Sequence, residues 1–182
     1  MCLKLPDVHT PEQRHLNMAA IRSVSTKPEL KVRKALWRLG FRYRVNYRGL
    51  YGTPDVVLPK YRTAIFIHGC FWHGHKGCKY YTVPKTNTEF WQAKVARNRE
   101  RDQEVWRKLE AKGWFVIIVW ECQLKKAIFR ETIGSVAAEI RKNGETLQQE
   151  QQNRRASREA YRLERKARKE RVSAILEEIR RH

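Results

Sequence analysis

Apolar positions along the chain change their period several times, and each change marks an element. Thr26-Lys27-Pro28-Glu29 reads as a helix start: a capping residue, proline in the first turn, and glutamate three residues after the threonine. Val32, Ala35, Leu36 and Leu39 follow at helical spacing, and Gly40 ends the run. From Phe41 to Tyr47 apolar and polar residues alternate, the pattern of a half-buried strand. Gly49 and Gly52-Thr53-Pro54 predict turns around Leu50. Val56–Leu58 and Ala64–Ile67 read as two short buried strands joined by a turn at Pro59-Lys60. Residues 68–88 have no period but crowd His, Cys, Gly and aromatics together, as a functional loop or a metal knuckle does. A long helix is predicted from about Glu89 to Lys112, stopped by Gly113. Trp114–Trp120 then reads as a fully buried central strand, and a last core helix runs from about Ile128 to Lys142, ending at Asn143-Gly144.

A helix, three strands, a loop, a helix, a strand and a helix in that order imply a mixed-sheet α/β sandwich, without internal repeats. Three segments are expected. Residues 1–24 form an arm whose first twenty residues are polar and irregular, with Pro6 and Pro11. Residues 25–143 form the folded domain. Residues 144–182 form a Gln-, Arg- and Lys-rich helical tail, with Val172, Ile175, Leu176 and Ile179 as an apolar stripe near its end. A length of 182 residues suits one domain with an appendage, and 41% hydrophobic and 10% aromatic residues suffice for a core. No apolar run approaches the ~18 residues of a membrane span. The start Met1-Cys2-Leu3-Lys4-Leu5-Pro6 lacks the apolar stretch of a secretory signal, so a soluble cytoplasmic protein is expected, with no membrane partner.

Charge narrows the partner. Lys and Arg number 39 against 19 Asp and Glu, a formal net charge of +20. Residues 151–182 account for +6 of this, which leaves +14 on the body. Both parts should bind a polyanion, and nucleic acid is the commonest.

Four clusters could carry chemistry. Cys70, His75 and Cys78 have the spacing C-x4-H-x2-C, and Cys122 follows the last strand. Three thiolates and an imidazole form a closed tetrahedral set, the pattern of a structural zinc site. His73 competes with His75 for the fourth position, and three buried reduced cysteines are the plainer alternative; Cys2 is a bystander. Asp55 stands at the mouth of one buried strand, while a second strand leads directly into His68, so a carboxylate and an imidazole should reach the same sheet edge. One carboxylate is enough for Mg²⁺ when substrate phosphate and water supply the other ligands, as in metal-assisted phosphodiester hydrolysis. On the long helix, Trp91, Val95, Asn98, Asp102, Val105 and Leu109 share one face. Asn98 and Asp102 interrupt its apolar stripe, so Asp102 needs a charged partner, either an arginine or a loop histidine that it would hold as a base. Finally, Phe71-Trp72 is hard to bury in a short tethered loop, and such rings can wedge between base pairs. Trp37, Trp106, Trp114 and Trp120 are expected in the core.

Pro54-Asp55, the run from Phe66 through His68-Gly69-Cys70-Phe71-Trp72-His73 to His75, Val83-Pro84, Thr88–Trp91, Asn98–Asp102 and Gly113-Trp114 through Trp120-Glu121-Cys122 closely resemble the very short patch repair mismatch endonucleases. The likeness extends from about Asp7 to Ile140. It implies a restriction-endonuclease-like fold that nicks double-stranded DNA 5′ of the thymine in a T:G mismatch, where 5-methylcytosine has deaminated. It further implies Asp55 as the Mg²⁺ carboxylate, His68 and His73 at the scissile phosphate, and Asp102 paired with a histidine. Glu29 matches an active-site-proximal glutamate, although the capping box explains it equally well. The resemblance places Cys70, His75, Cys78 and Cys122 on the zinc ligands and Phe71, Trp72 and Trp91 on the intercalating aromatics.

Three departures stand out. Ile67 occupies a position where threonine is familiar, and it would serve the Mg²⁺ through its backbone carbonyl. The stretch from His73 to Cys78 carries Gly74 and Gly77 and is one residue longer than the family's histidine run. The tail beyond about Gly144 lies outside the likeness. The expected function is therefore a Mg²⁺-dependent, zinc-stabilised mismatch nicking endonuclease associated with the nucleoid, with mismatch-repair proteins as further partners. The alternatives are a restriction-type or general duplex nuclease, and a zinc-containing DNA-binding protein that does not cut.

Overall fold

Helix α1 (Lys27–Arg38) starts as its sequence requires. Thr26 accepts from the Glu29 N–H, and the Glu29 carboxylate accepts from the Thr26 N–H, a reciprocal cap with Pro28 in the first turn. The structure, a computed structural model, describes residues 10, 12, 13, 16 and 24–181. Cys2, most of the arm and the side chains of Val172, Ile175 and Ile179 fall outside the described residues.

Four strands form one sheet in the order β1 (Arg44–Val45), β2 (Val56–Leu58), β3 (Thr63–His68), β4 (Phe115–Trp120). The first three are antiparallel neighbours, while β3 and β4 run parallel, joined through helix α2 (Thr88–Ala111). Helix α3 (Phe129–Arg181) closes the chain. Alternation sorts the side chains of this sheet into two cores. Val56, Leu58, Ile65, Ile117 and Val119 pack against Val32 and Leu36 of α1 and Ile133 and Ile140 of α3. Ala64 and Phe66 face the other way onto Leu109 of α2, with Val105 and Trp106 against them. The result is a three-layer α/β sandwich with a mixed sheet, matching the expected element order.

Several expectations need correction. The alternating segment Phe41–Tyr47 yields only the two-residue β1, because the side chains around it have other tasks. Phe41 is drawn into the core, the Tyr43 hydroxyl donates to the Arg33 carbonyl at 2.8 Å, and Asn46 turns the chain at φ 45°. The apolar run at Trp114–Trp120 is neither central nor fully buried. As β4 it lies at the sheet edge, and its residues alternate between half-buried and buried. Trp37 is 54% exposed, with the Arg42 guanidinium 3.9 Å from its ring centre, so its apolar surface is covered by a cation and not by the core.

The last helix does not end at Asn143-Gly144. The buried Asn143 amide donates to Thr63 Oγ1 at 3.1 Å and is therefore not used as a cap. A mid-helix glycine costs only about 1 kcal/mol and does not stop a helix. Gly144 also lets the Tyr61 ring approach, since a Cβ there would lie 2.8 Å from Tyr61 Cδ1.

The two glycines of α3 make opposite predictions. A Cβ at Gly134 meets nothing within 4 Å, so Gly134→Ala should stabilise the fold by roughly 0.5–1 kcal/mol. Gly144→Ala should lose that gain to the collision with Tyr61 and come out neutral or destabilising. Urea denaturation of the two variants measures the difference.

Candidate active site and thiol–imidazole cluster

The strand register fixes where the chemical groups gather. Val56 pairs with Ile65 and His68 pairs with Trp120, so the start of β2 and the ends of β3 and β4 meet at one edge of the sheet. Asp55 precedes β2, His68 ends β3, and Glu121 and Cys122 follow β4. A cleft of about 940 Å³ opens at this edge and is lined by Glu29, Asp55, His68, His73 and Asp102, together with Ile67 and Trp72. These polar groups converge from α1, β2, β3, the loop after β3, and α2.

Asp55 Oδ2 accepts from the Ile67 N–H at 2.7 Å, which fixes the carboxylate beside β3. Burial pushes its carboxyl up to about 6, and the nearby Glu29 adds to the rise; the Ile67 N–H, Arg33 and His73 oppose it. Oδ1 accepts no hydrogen bond among the described residues. A desolvated carboxylate with a free oxygen is a hard donor, which suits a small divalent cation such as Mg²⁺.

His68 is 4% exposed. Its ring stacks on His73 with centroids 3.7 Å apart and lies near Trp106 and Trp120. Burial, reinforced by the charge of His73 when protonated, lowers its pKa to about 4, so the imidazole is neutral at physiological pH. Its Nδ1 is buried and has no hydrogen-bond partner among the described residues.

The partner that Asp102 requires is His73. The His73 Nδ1 and Asp102 Oδ2 are 2.5 Å apart, whereas the Arg101 guanidinium is 3.8 Å from Oδ1. An ionised carboxylate can only accept, so Nδ1 carries the proton, and whenever the ring is neutral the lone pair is on Nε2. Asn98, the other polar residue on the stripe, donates to the Trp72 carbonyl at 2.8 Å. Arg99 donates to the carbonyls of His73 and Gly74. Gly74 sits at φ +61°, and a Cβ there would lie 2.5 Å from both Val95 and Arg99, so this contact between loop and helix needs glycine. Helix α2 thus holds the loop along its backbone as well as through Asp102.

The loop's other side chains form a separate cluster. One ligand atom from each of Cys70, His75, Cys78 and Cys122 lies within 4.8 Å of the others. His75 Nδ1 is 3.6 Å from Cys70 Sγ and 3.4 Å from Cys122 Sγ. Tetrahedral zinc, with Zn–S about 2.3 Å and Zn–N about 2.0 Å, requires an N···S separation of about 3.6 Å, so the set fits that ion. The His75 ring also stacks on Trp120 at 4.1 Å with an interplanar angle of 1°. Burial pushes the Cys70 thiol up to about 12 and raises Cys122 as well, so these sulfurs hold their protons unless a cation displaces them. The competition between His73 and His75 is resolved spatially, with His75 among the thiols and His73 against Asp102.

Phe71, Trp72 and Trp91 meet edge to face, with centroids 5.2–6.0 Å apart. Each is half-buried and not freely exposed as the short loop suggested, because the three rings cover one another. Trp72 also lines the cleft. Glu29 is buried beside Asp55 and paired with Arg33 at 2.9 Å, so its capping role and its place in the cleft coexist.

Arg33 was not singled out from the sequence. One of its nitrogens donates to Glu29, to Asn46 Oδ1 and to the Asp55 carbonyl. Its position four residues after Glu29 was the available signal. Lys94 and Arg101 also line the cleft, and only their helical phase relative to Asp102 pointed to that.

The chain's similarities to known proteins agree with this arrangement. The family profile for DNA mismatch endonuclease Vsr matches residues 6–80. Type II nicking enzyme V.NmeAIP of Neisseria meningitidis serogroup A is 49% identical over 138 residues, 75% of this chain and 98% of the relative. Type II nicking enzyme V.XorIIP of Xanthomonas oryzae pv. oryzae is 41% identical over 137 residues, 75% of this chain and 96% of the relative. DNA mismatch endonuclease Vsr of Escherichia coli K12 is 44% identical over 121 residues, 66% of this chain and 77% of the relative. With nearly the full length of two such relatives matched, the chain belongs to the Vsr family of DNA mismatch endonucleases.

Proposed function

We propose that this protein is a Mg²⁺-dependent endonuclease that nicks double-stranded DNA 5′ of the thymine in a T:G mismatch, the first step in repairing deaminated 5-methylcytosine. The observation that carries the reading is the Asp102–His73 pair stacked on a neutral His68 and sharing one cleft with Asp55. Asp55 and the Ile67 carbonyl would hold Mg²⁺, which supplies charge for the phosphate oxygens and acidifies bound water. Asp102 holds His73 so that Nε2 accepts a proton from the attacking water. The uncharged His68 offers a hydrogen bond to the phosphate or to the departing oxygen. Lys94 and Arg101 bring positive charge to the cleft and steer the DNA backbone into it. Phe71, Trp72 and Trp91 present a rigid aromatic wedge beside the nucleophile, suited to the weak stacking of a mismatched pair. The names of the nicking-enzyme relatives support cleavage of one strand. We infer a restriction-endonuclease-like core from the same likeness. A zinc ion at Cys70, His75, Cys78 and Cys122 would tie the loop to the end of β4.

Three outcomes test this reading. On a panel of T:G, A:C and fully paired duplexes with Mg²⁺, a nick should appear only beside T:G. Equal cutting of all three would leave a general duplex nuclease, and binding without a nick in Mg²⁺ or Mn²⁺ would leave a non-cutting protein.

Asp55→Asn should reduce nicking by at least about 1,000-fold, the worth of several kcal/mol of lost metal assistance. The same change should stabilise the metal-free fold. The Asp55 carboxyl titrates near 6 when folded and at 3.8 ordinarily, so its contribution to stability is complete below pH 3.8 and lost as pH rises through 6. Asparagine carries no charge, so the variant's advantage should open across that window and reach roughly 3 kcal/mol at pH 8. Equal urea midpoints at pH 8 would contradict this.

Metal analysis should find a single tightly held zinc per chain. Cys78→Ser should lose it and lower the Tm by roughly 10 °C, the shift that several kcal/mol produces at this size.

A further inference from the structure

About a quarter of this chain has no counterpart in the V.NmeAIP relative, which is matched over 98% of its own length. The continuation of α3 past the body runs from about Gly144 to Arg181. Its sequence is patterned. Ile133, Ala137, Ile140, Gly144 and Leu147 fall on one helical stripe, and it is this stripe that packs against the body. Continued in steps of three and four residues through Gln151, the same stripe carries Arg154, Arg158, Arg162, Arg165 and Lys169. All five are exposed. Between Arg154 and Arg171 there are nine basic residues against three acidic ones, and Glu159, Glu164 and Glu170 all lie off this stripe. The helix therefore changes from apolar to cationic along one line, at the point where the body stops covering it.

Where the helix leaves the body determines what it can reach. Asn143 is bonded to Thr63, the first residue of β3, whereas the cleft is built on His68 at the other end of that strand, about 17 Å away. From Gly144 to Arg181 the helix extends about 55 Å further from the cleft. At its exit, exposed Lys60 and Arg62 line a hollow of about 430 Å³ together with Arg154; Glu150 is the carboxylate there. The cationic stripe continues the body-facing side, so with the Lys60–Arg62 loop it forms one basic corner around this hollow.

We propose that this corner is a second binding site for duplex DNA, distinct from the cleft and holding a separate segment of double helix by its phosphates. The proposal rests on the reading that the protein acts on DNA. The occupant is duplex DNA because the surface is dominated by a row of charges; Tyr161, 69% exposed beside that row, is the tail's single aromatic, too few to stack a run of splayed bases, and a regular phosphate backbone is the partner that such a row complements.

The test compares the full-length protein with the quadruple variant Arg158→Gln, Arg162→Gln, Arg165→Gln, Lys169→Gln, in which glutamine preserves helix propensity. Circular dichroism checks that the helix is retained. Each protein is saturated with a 14-base-pair T:G duplex without added Mg²⁺, then titrated with a labelled, fully paired 30-base-pair duplex. The wild type should take up the second duplex, and the variant should bind it at least about tenfold more weakly. The salt slope of that second event should fall by about 3 to 4, one phosphate contact per lost charge. Affinity for the short T:G duplex and its single-turnover nicking should agree within twofold. A wild type that binds only one duplex would overturn the proposal, as would an unchanged salt slope or tighter uptake of duplex RNA at this site. Slower nicking of the short duplex by the variant would also overturn it, by placing the stripe on the substrate itself. A wild type that binds two duplexes but nicks neither would retain the second site while removing the catalytic reading.

Discussion

The parallel pairing of β3 with β4 is the constraint on which the rest of the molecule depends. Its register sets His68 opposite Trp120, and the chain leaves both strands at the same edge. One exit leads into Gly69–His75 and the other into Glu121-Cys122, so two segments distant in sequence must meet there. A parallel pair requires a crossover, and α2 supplies it while covering the Ala64–Phe66 face with Leu109. The element that makes the sheet possible is the same one that carries Asp102 to the cleft.

The loop after β3 has little regular backbone pairing, and ordering such a segment costs on the order of 1–2 kcal/mol per residue. Three sets of contacts offset this cost. Arg99 and Asn98 bind its carbonyls, the thiol–imidazole cluster gathers its far end, and the rings of Phe71, Trp72 and Trp91 cover one another. His73 is thereby held from several sides before any substrate arrives. Such preorganisation limits how far the imidazole must move at the moment of proton transfer.

Much of this was legible in the sequence because local chemistry and periodicity carried it. The capping box at Thr26–Glu29, the two buried strands and the stripe Val95–Asp102–Leu109 all arise from spacing within a few residues. An apolar stripe broken by a carboxylate announced a partner for Asp102, but it did not determine which one. Less legible were features set by partners distant in sequence. β4 reads as central because its residues are apolar, yet sheet order depends on which strands pair, and no local pattern encodes that. Trp37 reads as core until Arg42 is found over its ring. Arg33 was missed because its three partners lie 4, 13 and 22 residues away and converge only after folding. Asn143-Gly144 carries the signals of a helix end, and those signals were overruled by Thr63 and Tyr61.

That last feature has a consequence for how the extension comes to be ordered. An isolated helix in water must first form an unfavourable nucleus, and a charged segment with like-signed neighbours has little to reward it. Here the first turns of α3 are fixed by packing Ile133, Val136 and Ile140 against the sheet, so helix growth beyond Leu147 is propagation only. The body acts as the seed of the extension. Helicity should therefore be greatest next to Asn143 and decline toward Arg181, and it should vanish together with the core when the sheet melts.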